Sequence, residues 1–256
     1  MDTLLSLMSP GTLALTISIA ALAGLIKGMV GFAMPMIMIS GLGSFLSPEL
    51  ALAGLILPTL VSNAMQALRQ GPKAAAESVR RFRVFLGVGL VFLLISSQLV
   101  SVLPVPVLLA LIGGPVALFC LMQLAGWRAH LPNGPATWIE ALVGTVCGFI
   151  GGLSGVWGPP FVAYLTAIDT EKRDQMRVQG VAYGLGALAL VGAHVVSGVL
   201  NARTVWFSLA MLVPAVAAMW VGTRIQDRID QALFRKMTLA VLLVAALNLL
   251  RRAFFT

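Results

Sequence analysis

The chain has 256 residues, of which 59% are hydrophobic and 10% charged, with a formal net charge of +8 and a mean hydropathy of +0.98. Soluble domains carry roughly 25% charged residues, so a water-soluble fold is excluded, and apolar blocks that run continuously rather than alternating exclude a β-barrel. The basic residues lie mainly in connectors between blocks, which speaks against nucleic acid as a partner and for the cytoplasmic Lys/Arg excess of a protein embedded in a lipid bilayer.

In chain order, apolar segments are predicted at 11–30, 33–46, 49–68, 83–102, 105–126, 138–156, 159–168, 177–200, 205–223 and 232–250. Several approach the ~20 residues a helix needs to cross a bilayer, whereas 33–46 and 159–168 are short and follow glycine-rich breaks, as half-helices or re-entrant segments would. The start lacks a positively charged region, so a cleaved signal peptide is not expected. Cys120 and Cys147 fall inside apolar blocks and are read as packing residues, with neither disulfide nor metal. Asp169, Glu171, Lys172, Arg173, Asp174 and Arg177 are read as a solvated loop, and Glu140 as an acid at a helix N-terminus.

The chain repeats itself. Gly24, Gly28, Gly31 and Pro35 recur with the same spacing as Gly148, Gly152, Gly155 and Pro159, and from Gly24 to Gly148 the offset is 124 positions. Each motif follows a first apolar helix and precedes a short segment, a longer helix and two more helices. The expected fold is therefore an all-α polytopic membrane protein with about 8–10 transmembrane or half-membrane helices in two homologous repeats, residues 1–127 and 138–256, joined by a loop at 128–137. Charge suggests that the repeats are inverted. Arg69, Lys73, Arg80, Arg81 and Arg83 follow the third segment of the first half, while in the second half the basic cluster, Arg224, Arg228, Arg235 and Lys236, follows the fourth. Equivalent connectors then lie on opposite sides of the membrane, with the N-terminus outside.

Non-helical backbone survives at membrane depth only where protein buries it or it lines a cavity. Paired breaks related by pseudosymmetry point to a transporter's substrate site, and the helix N-termini they create favour an anion. Candidate substrate-binding residues are Lys27, Gly28 and Gly31 at the first break, and Gly152, Ser154, Gly155 and Trp157 at the second. Asn63 and Gln66 share a face of the third segment, and Gln179 and Tyr183 lie on the matching helix of the second half. His194 is the candidate for proton or ion coupling. Plainer alternatives stand beside these readings: close helix packing for the glycines, snorkelling for Lys27, interhelical bonding for the amides, interfacial anchoring for Trp157 and Tyr183, and helix packing near the membrane edge for His194. No catalytic constellation, metal motif or cofactor motif is present in the sequence, so no enzyme and no cofactor is expected.

GLIKGMVGFAMPM and its counterpart GFIGGLSGVWGPPF, within a duplicated all-helical organisation, resemble the TauE/SafE family of membrane permeases, the sulfite and sulfonate exporters. The resemblance implies secondary transport of a small anion such as sulfite, a sulfonate or sulfoacetate, driven by an ion gradient, in a bacterial inner membrane. The expected coupling ion is H+ or alternatively Na+, and a homo-oligomer is the expected assembly. A passive anion channel and a non-transporting accessory subunit are the alternative readings.

Overall fold

A computed structural model describes residues 8–97, 104–126, 137–154, 158–196 and 198–255. Among them the regular structure is helical: α1 (Pro10–Val30), α2 (Met34–Leu42), α3 (Pro48–Leu68), α4 (Pro72–Arg81), α5 (Arg83–Ser97), α6 (Val105–Leu124), α7 (Thr137–Ser154), α8 (Gly158–Ala167), α9 (Lys172–Val196), α10 (Thr204–Arg228) and α11 (Gln231–Phe255). Local chemistry sets several of these boundaries. Ser9 and Ser47 accept hydrogen bonds from the backbone N–H of Thr12 and Leu50, and Pro10 and Pro48 follow them where the missing N–H costs nothing.

By length and composition α1, α3, α10 and α11 can each cross a membrane, and α5 and α7 are shorter apolar helices. The outward surface agrees with lipid rather than water: Val213 and Val244 are 70% and 68% exposed, while Lys27, Asn63 and Gln66 are buried. The molecule is a multi-pass membrane protein. Ten helices match the predicted apolar segments. The eleventh, α4, is amphipathic and polar, so a search for apolar blocks passes over it.

One expectation is corrected. Lys172, Arg173, Asp174 and Arg177 do not belong to a loop but form the first turns of α9. Asp174 suits the positive end of the helix dipole, and the backbone N–H of Lys172 donates to Gln231 Oε1 at 2.8 Å. The loop is only the stretch before it, where Asp169 adopts a positive φ of 50°.

The chain divides into two compact units that cut across the sequence halves: Met1–Ala75 with Met176–Asp230, and Ala76–Gln175 with Gln231–Thr256. In the first unit, α1 and α10 run parallel with their backbones nearly touching. A β-carbon added at Gly24 would lie 2.0 Å from the Ala215 carbonyl oxygen, and one at Gly28 2.2 Å from that of Met219. Phe207, Met211 and Ala215 of α10 pack with Ala20, Ala23, Met34, Met38 and Leu42 into its core. Helix α2 lies back along α1, since Gly41 meets Ile19, so α1 and α2 make a hairpin whose tip is Gly31–Ala33. Nine residues give α2 roughly 14 Å, about half of the hydrocarbon thickness. In the second unit α5 and α7 are also parallel, with Gly144 against Phe85 and a β-carbon at Gly148 only 2.1 Å from the Gly89 carbonyl oxygen. Phe161 of α8 stacks on Phe85 with ring centroids 4.2 Å apart. Helices α6 and α11 pair antiparallel, joined by Gly113 against Ala246 and by Arg235 against Gln123.

Candidate functional site

The tip of the α1–α2 hairpin gathers the polar residues of the first unit. Helix α1 ends when Gly31 takes the left-handed region, φ 91°, and its N–H closes on the Lys27 carbonyl at 2.7 Å. Ala33 is also left-handed, φ 76°, an uncommon conformation for a residue with a β-carbon. Helix α2 then restarts with Pro35 in its first turn. The first predicted break is therefore real. Of the second, α7 stops at Ser154 and α8 begins at Gly158, while 155–157 lie outside the described residues.

Lys27 is 1% exposed. Its Nζ donates to Asn63 Oδ1 at 2.6 Å and sits 6.0 Å from the ring centroid of half-buried Tyr183, at the outer limit of a cation–π contact. No carboxylate among the described residues pairs with it. One turn along α3, Gln66 Nε2 donates to the Gly31 carbonyl at 3.2 Å and reaches Met176 Sδ at 3.8 Å. Gln179 completes the ring: a β-carbon on Gly31 would lie 2.3 Å from its Oε1. That proximity needs α3 and α9 very close, and Gly180 supplies it, because a β-carbon there would be 2.5 Å from the Ala67 nitrogen. Gly184 lies beside Asn63 and Arg177 bonds Gln70. Residues 63, 66 and 70 of the α3 side thus face 184, 180 and 177 in reverse order, so α3 and α9 are antiparallel. Beyond Gln66, Arg69 reaches Gln226 Oε1 at 3.1 Å and Asp227 Oδ2 at 2.5 Å, tying the ends of α3 and α10.

Lys27, Gly31, Asn63, Gln66, Gln179 and Tyr183 are therefore brought together. Gly28 lies on the α1–α10 seam rather than in the polar cluster. Gly152 and Ser154 belong to the last turn of α7, whereas Gly155 and Trp157 lie outside the described residues. His194 sits half-buried in the last turn of α9. Sequence reasoning missed Met176 and Gly180, whose residue types are ordinary in apolar helices and carry no signal. It also undervalued Glu140. This carboxyl is buried in the second unit with Tyr164, whose hydroxyl has no hydrogen-bond partner among the described residues, and Arg81 is within electrostatic reach of both. An acid inside an apolar block was the available clue.

Four helices long and apolar enough to cross a membrane, shorter apolar helices and a buried polar cluster at a helix break define an all-α polytopic membrane protein. Residues 16–249, nearly the whole chain, match the family described as Sulfite exporter TauE/SafE, and the chain belongs to that family. No curated protein and no solved structure matches it.

Proposed function

We propose that this chain is a secondary transporter of a small oxyanion, with sulfite, sulfonates and sulfoacetate as the substrate class, and that the anion binds at the tip of the α1–α2 hairpin. The observation that carries this reading is the Lys27 ammonium, buried with no carboxylate beside it among the described residues. A lone buried cation is costly unless something compensates it. An anion placed against Lys27 Nζ and Asn63 Nδ2 would do so, with Gln179 as a further donor. Tyr183 would border the bound anion. The residues of the second break, Gly152, Ser154, Gly155 and Trp157, are proposed as its counterpart, and Gly28 as the backbone support of the first.

The inverted repeat is part of the proposal, and three facts support it. Helices α3 and α9, counterparts in sequence, are antiparallel. The seams α1–α10 and α7–α5 pair counterpart helices in the same parallel sense. Gly24 and Gly148, counterparts in the motif, make the same close approach to a backbone carbonyl. Alternating access would then move one repeat against the other around the site. The proposed setting is a bacterial inner membrane with the N-terminus outside. Coupling is assigned to H+, carried by His194, with Na+ as the second option and a homo-oligomer as the assembly.

The experiment is sulfite flux in proteoliposomes with and without a proton gradient. Wild type should give saturable, gradient-dependent flux. Lys27→Met should weaken apparent affinity about tenfold or more, as expected for losing a charged hydrogen-bond donor. Unchanged flux in that variant would remove the anion site from this hairpin, and gradient-independent, non-saturating flux would favour a channel.

A further inference from the structure

The polar groups around Lys27 are unevenly satisfied, and the imbalance has a direction. An ammonium can only donate, so the 2.6 Å contact with Lys27 fixes Asn63 Oδ1 as the acceptor and leaves Asn63 Nδ2 as a buried donor without a partner among the described residues. A carbonyl can only accept, so the bond to Gly31 fixes Gln66 Nε2 as the donor and leaves Gln66 Oε1 as a buried acceptor with no partner among the described residues. Gln179 is 0% exposed and has no partner among the described residues for either amide atom, which adds one donor and one acceptor in whichever orientation its amide takes. The cluster therefore offers unmet donors from Lys27, Asn63 and Gln179 together with unmet acceptors from Gln66 and Gln179.

A sulfonate, or any fully deprotonated oxyanion, only accepts. It would answer the donors but turn negative oxygens towards the Gln66 and Gln179 carbonyl oxygens, leaving those buried acceptors unpaired at a cost of about 1–3 kcal/mol each. An oxyanion that keeps one hydroxyl does both jobs. We infer that the site selects singly protonated oxyanions, holding their negative oxygens on Lys27 Nζ and Asn63 Nδ2 and taking their hydroxyl hydrogen on Gln66 Oε1 or the Gln179 amide oxygen. This rests on the anion-site reading above and narrows it: the preferred substrate carries its own proton.

The test uses two anions of the same shape and charge that differ by one O–H, methylphosphonate and methanesulfonate, at a pH where each carries one negative charge. Binding to the purified full-length protein in detergent is measured by calorimetry. Methylphosphonate should bind about tenfold or more tightly than methanesulfonate, since a site built to bond a substrate hydroxyl rejects the analogue lacking it. Gln66→Met should bring the ratio of the two affinities towards one. Because Gln66 also holds the Gly31 carbonyl, Gln179→Met serves as the second variant and should narrow the same ratio. If methanesulfonate binds as tightly as methylphosphonate and both depend on Lys27, the hydroxyl selection is wrong while the anion site survives. If neither binds, or Lys27→Met binds both like wild type, both ideas fall together.

Discussion

The α1–α10 seam of one unit and the α5–α7 seam of the other are built alike but equipped differently. In each, a pair of glycines lets two parallel helices approach until backbone meets backbone, Gly24 with Gly28 in the first and Gly144 with Gly148 in the second. Yet the first motif carries Lys27, while the position 124 residues later is Gly151. In the second unit the buried charged side chain among the described residues is instead Glu140 of α7, with the exposed Arg81 of α4 within electrostatic reach. Among the described residues, close packing of this kind thus serves both seams, while the buried cation belongs to the first alone. Lipid supplies no hydrophobic drive between helices, so small residues must do the joining wherever two spans meet, whereas a charge is tolerated only where it acts.

The sharpest way to break this comparison is to overfill both seams. Gly24→Leu and Gly148→Leu would each place side-chain atoms where a carbonyl oxygen already stands, 2.0 and 2.1 Å from the first added carbon. Both contacts are to backbone, which cannot rotate away, so each variant should lose roughly 3 kcal/mol or more. The measurement is thermal unfolding and yield of monodisperse protein in detergent. Equal losses are expected; tolerance of one variant would show that only the other seam holds its unit together.

How much of this could be read beforehand follows from which features are local. The first break was legible because glycine and proline inside an apolar run have few other uses, and Lys27, Asn63, Gln66 and Gln179 were legible because a polar side chain there is expensive. The interleaving of the two sequence halves into two units left no trace, since helix exchange changes neither composition nor periodicity. Helix α4 escaped because it is polar, and the first turns of α9 because charge was equated with loop, although Lys, Arg and Gln are good helix formers. Met176 and Gly180 matter only through where α9 comes to lie against α3.

A smaller effect is expected at the end of the first unit, where Arg69 bonds Gln226 and Asp227. The side chains of this pair are 35% and 38% exposed, so solvent screens it and a contribution of at most about 1 kcal/mol is expected. Arg69→Gln should lower the melting temperature by a few degrees at low salt and by less at high salt. A loss that ignores salt would mean that the bond to the neutral Gln226 amide carries the contact instead of the charge pair.

The smallest effect concerns the hairpin tip itself. Ala33 holds a positive φ of 76°, where a β-carbon costs about 1–2 kcal/mol; glycine removes that cost but adds roughly 0.5–1 kcal/mol of chain entropy. The two nearly cancel, so Ala33→Gly should stabilise by only about 0.5 kcal/mol, or a degree or two in melting temperature. Ala33→Val should do the reverse by a larger margin, because a branched side chain is least tolerant of this region. If Gly and Val at position 33 melt together, the tip relaxes without cost and Gly31 alone sets the turn that presents Lys27 to Asn63.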